Sequence, residues 1–167
     1  KAALDLAKRD ELTGLYNRRA FNENFKEAIK ESKIKNTPLH VAIIDVDHFK
    51  QLNDTYGHLN GDAVLVGLSK LLNHHIPKHV MACRFGGEEL TILMPNMSLE
   101  QSITLMETIR QAIETAKFIG VNGEEINTTV SIGLAAVSKP SLRIGTYEQS
   151  ISQTIAMADQ QLYKAKE

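Results

Sequence analysis

The stretch "HVMACRFGGEELTILM" places two strand-like runs on either side of Gly86-Gly87. A glycine pair between such runs is a hairpin signal, because tight primed turns need positive φ and glycine reaches it without a steric cost. A hairpin commits the middle of the chain to antiparallel pairing, and the other elements have to be arranged around it. Upstream, "PLHVAIIDVD" is a short apolar run rich in β-branched residues. It reads as a buried strand over Leu39 to Val46 that ends in Asp45 and Asp47. Downstream, Asn122-Gly123 marks a second hairpin, and "INTTVSIGLAAV" is β-rich.

Helical periodicity fills the intervals. "NRRAFNENFKEAIKESK" spaces Phe21, Phe25 and Ala28 along one face, with Asn17 as a cap. "HFKQLNDTYG" suits a short helix stopped by Gly57, and "GDAVLVGLSKLLNHHI" aligns Val64, Leu65, Leu68, Leu71 and Leu72. Ser98 and Gln101 form a capping-box pattern before a longer helix. "SISQTIAMADQQLYKAK" closes the chain as a helix with Ile151, Ile155, Ala158 and Leu162 on one side. "ALDLAKRDELTG" begins helix-like and breaks at Gly14. The expected fold is α+β and ferredoxin-like, an antiparallel or mixed sheet with apolar helix stripes covering one face.

The 167 residues amount to one domain, with no linker or repeat to divide them. A net charge of −1 gives no bulk case for binding nucleic acid or a membrane surface. The single cysteine, Cys83, excludes an internal disulfide framework and fits a reducing compartment. No apolar run reaches the roughly 18–20 residues of a membrane span. The expected location is the cytoplasm, either free or as the cytoplasmic part of a membrane-anchored protein. The chain opens on Lys1 rather than methionine, so a fragment or processed form of a longer protein is expected.

The acidic residues suggest a site. Asp45 and Asp47 end the first strand, and Glu88 and Glu89 follow the hairpin glycines. If the hairpin lies beside the first strand, these carboxylates converge. Such a cluster repels itself unless it is protonated or binds a cation. Hard oxygen ligands suit Mg²⁺ or Mn²⁺, which take one or two carboxylates together with substrate phosphates. A helix starting after Asp47 would aim its first N–H groups at the same place, a natural phosphate seat, with Lys50 adding positive charge. Asn53 and Asp62 offer an amide and a carboxylate suited to a purine edge, although Asp62 also reads as a helix cap. No G-x-x-x-x-G-K-S/T or G-x-G-x-x-G pattern occurs, so a nucleotide would be held by other means. His74, His75 and His79 near Cys83 superficially suggest zinc, but Pro77 separates them and no paired ligand set exists. Ser131 has no nucleophile-elbow context and reads as a strand residue.

Five blocks in order, "DELTGLYNRRAF", "DVDHFKQLNDTYGHLNGD", "RFGGEEL", "TVSIGLA" and "ADQQLYKAK", resemble the GGDEF family, the diguanylate cyclase domains of bacterial signalling proteins. The resemblance covers nearly all of residues 1–167 and implies a fold like that of adenylyl cyclase catalytic domains. It implies condensation of two GTP molecules, one per subunit of a homodimer, into cyclic di-GMP and two pyrophosphates with Mg²⁺. On the matching positions, Asp45 and Glu88 are the implied metal ligands with the carbonyl of Val46, and Glu89 is a further acidic position needed for activity. Asn53 and Asp62 are the implied guanine readers. His48, Phe49 and Lys50 surround the phosphates, Gly86 and Gly87 lie against the nucleotide, and Lys166 adds a phosphate contact. Residues 1–12 look like the end of a connector helix from an N-terminal sensor domain.

Three features depart from the family pattern. Leu90 stands where phenylalanine is usual. The product-inhibition motif R-x-x-D is replaced by Pro77, Lys78, His79 and Val80, so no inhibitory site is expected. The sequence stops at Glu167, before the usual basic tail. Two alternatives stay open: a degenerate domain that binds GTP or a partner protein as a non-catalytic regulator, and a cyclase with a mixed guanine-adenine product.

Overall fold

The computed structural model describes residues 7–137 of the 167. The closing helix with Lys166, and residues 1–6 of the connector, lie outside the described residues.

Asn17 caps the first helix, α1 (Arg18–Lys35), by accepting a 3.0 Å hydrogen bond from the Ala20 amide. The helix ends at Asn36 in the left-handed conformation. Then follow β1 (Leu39–Val46), α2 (Phe49–Tyr56), α3 (His58–His75), β2 (Met81–Arg84), β3 (Glu89–Pro95), α4 (Leu99–Thr115), β4 (Phe118–Ile119), β5 (Glu125–Ile126) and β6 (Val130–Ala136). The expected capping box on α4 is fully formed, with the Ser98 and Gln101 side chains exchanging bonds with each other's backbone amides.

The main sheet has the order β2-β3-β1-β6, with every neighbouring pair antiparallel. This is the strand order of a ferredoxin-like sheet. The β4-β5 pair forms a separate small hairpin, and Gly123 supplies its positive φ of 83°.

The two-residue period of the strands sorts their side chains. Ala42, Ile44 and Val46 of β1 and Leu90, Ile92 and Met94 of β3 share one core with residues of α3 and α4 such as Leu65, Leu68, Ile109 and Ile113. Leu39, Val41, Cys83 and Leu93 point the other way and pack with Phe21, Phe25 and Ile29 of α1. The helices therefore cover both faces of the sheet rather than the single face expected. The reason lies in β1, whose apolar run does not alternate. A strand that is apolar on both sides has to be covered on both sides.

Two other local expectations are corrected. Gly86 and Gly87 do not adopt positive φ, so the connection is not a primed two-residue turn. It is a four-residue loop, 85–88, closed by Phe85 and Gly86 amides donating to the Glu89 carbonyl at 2.9 and 3.2 Å. The described part of the N-terminal segment is not helical either. Residues 7–16 form turns folded back on themselves, with Arg9 bridged to Tyr16 and Tyr16 bridged to Cys83 of β2.

Candidate active site

The acidic corner follows from strand register. Asp45 lies opposite Glu89, and the Val46 amide donates to the Glu88 carbonyl at 3.4 Å. The last residues of β1 and the first of β3 thus share one end of the sheet. Directly opposed residues in an antiparallel pair stand about 4.5–5.5 Å apart at Cα, and like charges there repel. Asp45, Glu88 and Glu89 are all half-buried, and Oδ1 of Asp45 is shielded from solvent. Among the described residues, no three side chains form a metal cage by themselves. Two carboxylates beside an open loop nevertheless fit Mg²⁺, which draws its remaining ligands from water and phosphate.

Asp47 separates from this set. Its carboxylate accepts 2.7 Å hydrogen bonds from Thr129 Oγ1 and Ser131 Oγ, and its amide donates to the Thr129 carbonyl at 2.9 Å. It ties the end of β1 to β6. Ser131 is the strand residue expected.

His48 links the strand to α2. It takes the left-handed conformation, φ 54°, and makes no side-chain cap to the helix it begins. Among the described residues, no side chain caps the first-turn N–H groups of α2, the condition for receiving an anion. Phe49 is half-buried against the α3–α4 core and Lys50 is exposed.

Asn53 lies further along α2, facing α3 across the Gly57 turn. Its Oδ1 is buried and accepts no hydrogen bond from the described residues. Asp62 is half-buried within α3. That helix starts at His58 with Gly57 at its N-cap, so Asp62 is not the cap. Gly86 and Gly87 are exposed, and among the described residues only Glu89 Cβ lies within 4 Å of the position a Gly86 Cβ would take. Leu90 is fully buried in the α3–α4 core.

Sequence reasoning passed over Arg84. Its Nη1 reaches Oδ2 of Asp10 at 3.2 Å, while Nη2 and Nε donate to the Gly87 carbonyl at 2.9 and 3.3 Å. Asp10 also accepts from the Thr13 amide and hydroxyl at 2.9 and 2.7 Å. Partial burial pushes the Asp10 carboxyl up, but the Thr13 bonds and the Arg84 charge outweigh it and leave the group below its ordinary value. One guanidinium thus fastens the N-terminal turns to the glycine loop. The signal for it was the arginine two residues before the glycines, legible only once a partner 74 positions upstream is known.

Burial in the α1 core pushes the Cys83 thiol up to about 12, against weaker opposing effects of the Thr91 hydroxyl and Arg9, so it is a packing residue and not a nucleophile. His74 and His75 stack edge to face and belong to no metal-ligating group among the described residues.

A model of the family described as "Diguanylate cyclase, GGDEF domain" matches residues 7–167. The chain belongs to the GGDEF family. Among characterised folds, it is similar to the diguanylate cyclase SiaD of Pseudomonas aeruginosa, solved with its activator SiaC. That comparison has TM-score 0.86 and 34% identity, and covers 99% of this chain and 60% of that one. It is also similar to the coiled coil and GGDEF domain of DgcB from Caulobacter crescentus in complex with c-di-GMP, with TM-score 0.87, 28% identity, and coverage of 99% and 83%. Curated relatives include the uncharacterized YhcK of Bacillus subtilis, 42% identical over 95% of this chain and 42% of that protein. Another is an uncharacterized membrane protein of Staphylococcus haemolyticus, 42% identical over 79% of this chain and 37% of its own length. The chain thus spans about two fifths of these relatives. Among the described residues, no helix is long and apolar enough to cross a membrane.

Proposed function

We propose that this GGDEF domain is an active diguanylate cyclase that joins two GTP molecules into cyclic di-GMP across a homodimer. The observation that carries the reading is the register that brings Asp45, Val46, Glu88 and Glu89 to the sheet end from which the uncapped α2 departs. An acidic corner for a cation beside a helix start for phosphate is the arrangement a nucleoside triphosphate requires.

In this reading Asp45 and Glu88, with the Val46 carbonyl, hold Mg²⁺, and Glu89 supports them. Bound there, the cation would offset charge on the triphosphate and favour departure of pyrophosphate. The first-turn amides of α2, between His48 and Lys50, orient the phosphates, with Lys50 supplying positive charge and Lys166 a further contact. Asn53 and Asp62 take the guanine edge. A carboxylate at Asp62 accepts from the N1–H and 2-amino group of guanine, where adenine has an N1 acceptor and a bare C2–H, which favours a product built from guanine alone. The exposed Gly86 and Gly87 leave room for the nucleotide along the loop. A 3′-hydroxyl has to attack the other nucleotide's α-phosphate in line, so each subunit presents one GTP and a two-fold dimer brings them face to face.

The regulator reading gains little from Leu90. Its side chain is buried away from solvent, where an apolar exchange is a matter of repacking. The domain would take its input from an N-terminal sensor joined through residues 1–12.

The test is incubation of the chain with GTP and Mg²⁺, followed by chromatography of the nucleotides and a measurement of oligomeric state. Cyclic di-GMP is expected from the dimer. A dimer that binds GTP and makes none would sink the proposal in favour of a regulator. Glu88→Gln should abolish turnover with the fold intact; persistence within a few-fold would remove Glu88 from the metal site.

A further inference from the structure

Gly61 sits in the first turns of α3, with its amide donating to the Gly57 carbonyl at 3.1 Å. Its backbone is ordinary right-handed helix, so no conformational reason calls for glycine there. The reason is across the helix pair. A Cβ added at Gly61 would overlap Oδ1 of Asn53, and would stand 2.9 Å from Cγ of the same side chain and 3.3 Å from Phe49 Cζ. The Asn53 carboxamide fills the space a side chain would take, with its oxygen buried against the glycine. Phe49, one turn earlier on α2, closes the space from the side.

We infer that Gly61 is a specificity-determining positioning residue: its missing side chain is the socket that fixes the Asn53 carboxamide, and through it the choice of purine. The inference rests on the proposed role of Asn53 as a guanine reader. A carboxamide has one soft torsion at its end and discriminates bases only if that torsion is held. No hydrogen bond from the described residues holds Oδ1 of Asn53. Shape therefore does, and Gly61 supplies the shape. The adjacent residue, Asp62, is the other proposed reader, so α3 would position one partner of the pair and carry the second.

This role separates cleanly from a structural one. The atoms in the way belong to the far end of a side chain that can swing aside, and alanine is the better helix former. Gly61→Ala should therefore melt at the wild-type temperature or a few degrees above it. Its effect should appear in base selection instead.

The experiment measures binding of 3′-deoxy-GTP and 3′-deoxy-ATP, which cannot condense, to the wild-type chain, Gly61→Ala, Asn53→Ala and the double variant by calorimetry with Mg²⁺. The expected result is a preference for the guanine nucleotide that falls about tenfold in each single variant, the worth of roughly one hydrogen bond. The double variant should lose no more than either single one, because both remove the same contact. If Gly61→Ala keeps wild-type discrimination while Asn53→Ala loses it, the socket is refuted and the guanine reading stands. Additive losses in the double variant would refute it equally. If the wild-type chain does not distinguish the two nucleotides, or Asn53→Ala still does so fully, the role of Asn53 fails and the inference falls with it. A Gly61→Ala melting temperature several degrees lower would show that the glycine serves packing instead.

Discussion

Replacing Arg84 by alanine tests whether one side chain joins the N-terminal turns to the glycine loop. Its guanidinium and the Asp10 carboxylate are only 20% and 21% exposed, and the pair is approached at 3.2 Å. An exposed ion pair is worth about 0–1 kcal/mol, whereas hydrogen bonds to charged groups that are largely covered contribute about 1.5–3. The Gly87 carbonyl lies in an exposed loop where water can replace the lost donors, so that contact adds little to stability. Together these place the loss in Arg84→Ala at about 2 kcal/mol. For a chain of this size that is a fall of roughly 4–8 °C in melting temperature. The assay is thermal and urea unfolding of wild type, Arg84→Ala, Asp10→Ala and the double variant. The cycle should give a coupling of about 1 kcal/mol, with Arg84→Lys recovering part of it, since an ammonium cannot reach carboxylate and carbonyl as a fork does. Turnover should fall further than stability does, because the loop has lost its tie to Gly87. A coupling within about 0.3 kcal/mol of zero, with each single loss intact, would refute the idea that the two residues act as one clamp.

Leu90→Ala removes a fully buried side chain and should cost about 2–5 kcal/mol in urea unfolding, whereas Leu90→Phe should stay within about 1.5 kcal/mol of wild type and retain turnover. Asp47→Asn turns one of two short hydroxyl contacts against an amide donor; a loss of about 1–2 kcal/mol is expected in the denaturant midpoint, with the slope unchanged. His40 is buried in β1 and its Nδ1–H donates to the Met97 carbonyl at 3.0 Å. Burial lowers its pKa from 6.5, against the opposing pull of that hydrogen bond. The unfolded chain therefore takes up the proton first. Stability is full above about pH 6.5 and declines as pH falls from there toward the lower folded pKa, and His40→Gln should flatten that part of a stability–pH curve.

The order and type of most elements were legible because they rest on short-range signals. The Asn17 cap, the Ser98–Gln101 capping box, the Gly57 stop and the apolar run of β1 each act within a few residues, and each is found where the sequence places it. The acidic residues were legible as a group for the same reason, since Asp45 is next to last in one strand and Glu88 and Glu89 lead into another. What they share was not decided by the sequence. The pairing of β1 with β3 sets Asp45 across from Glu89, while bonds to residues 82 and 84 positions away draw Asp47 off to β6. Two aspartates separated by one residue look alike in a sequence, and only their distant neighbours tell them apart. The same holds for Arg84, which reads as one more charge until Asp10 and Gly87 are beside it, and for Gly61, whose need for glycine comes from a side chain on another helix. Local propensity fixed which segments are helices and strands. Packing between segments far apart in the chain decided which face α1 covers, which acidic residues stand across from each other in the sheet, and which glycine makes room for Asn53, because contacts of that kind leave no periodic trace in a single sequence.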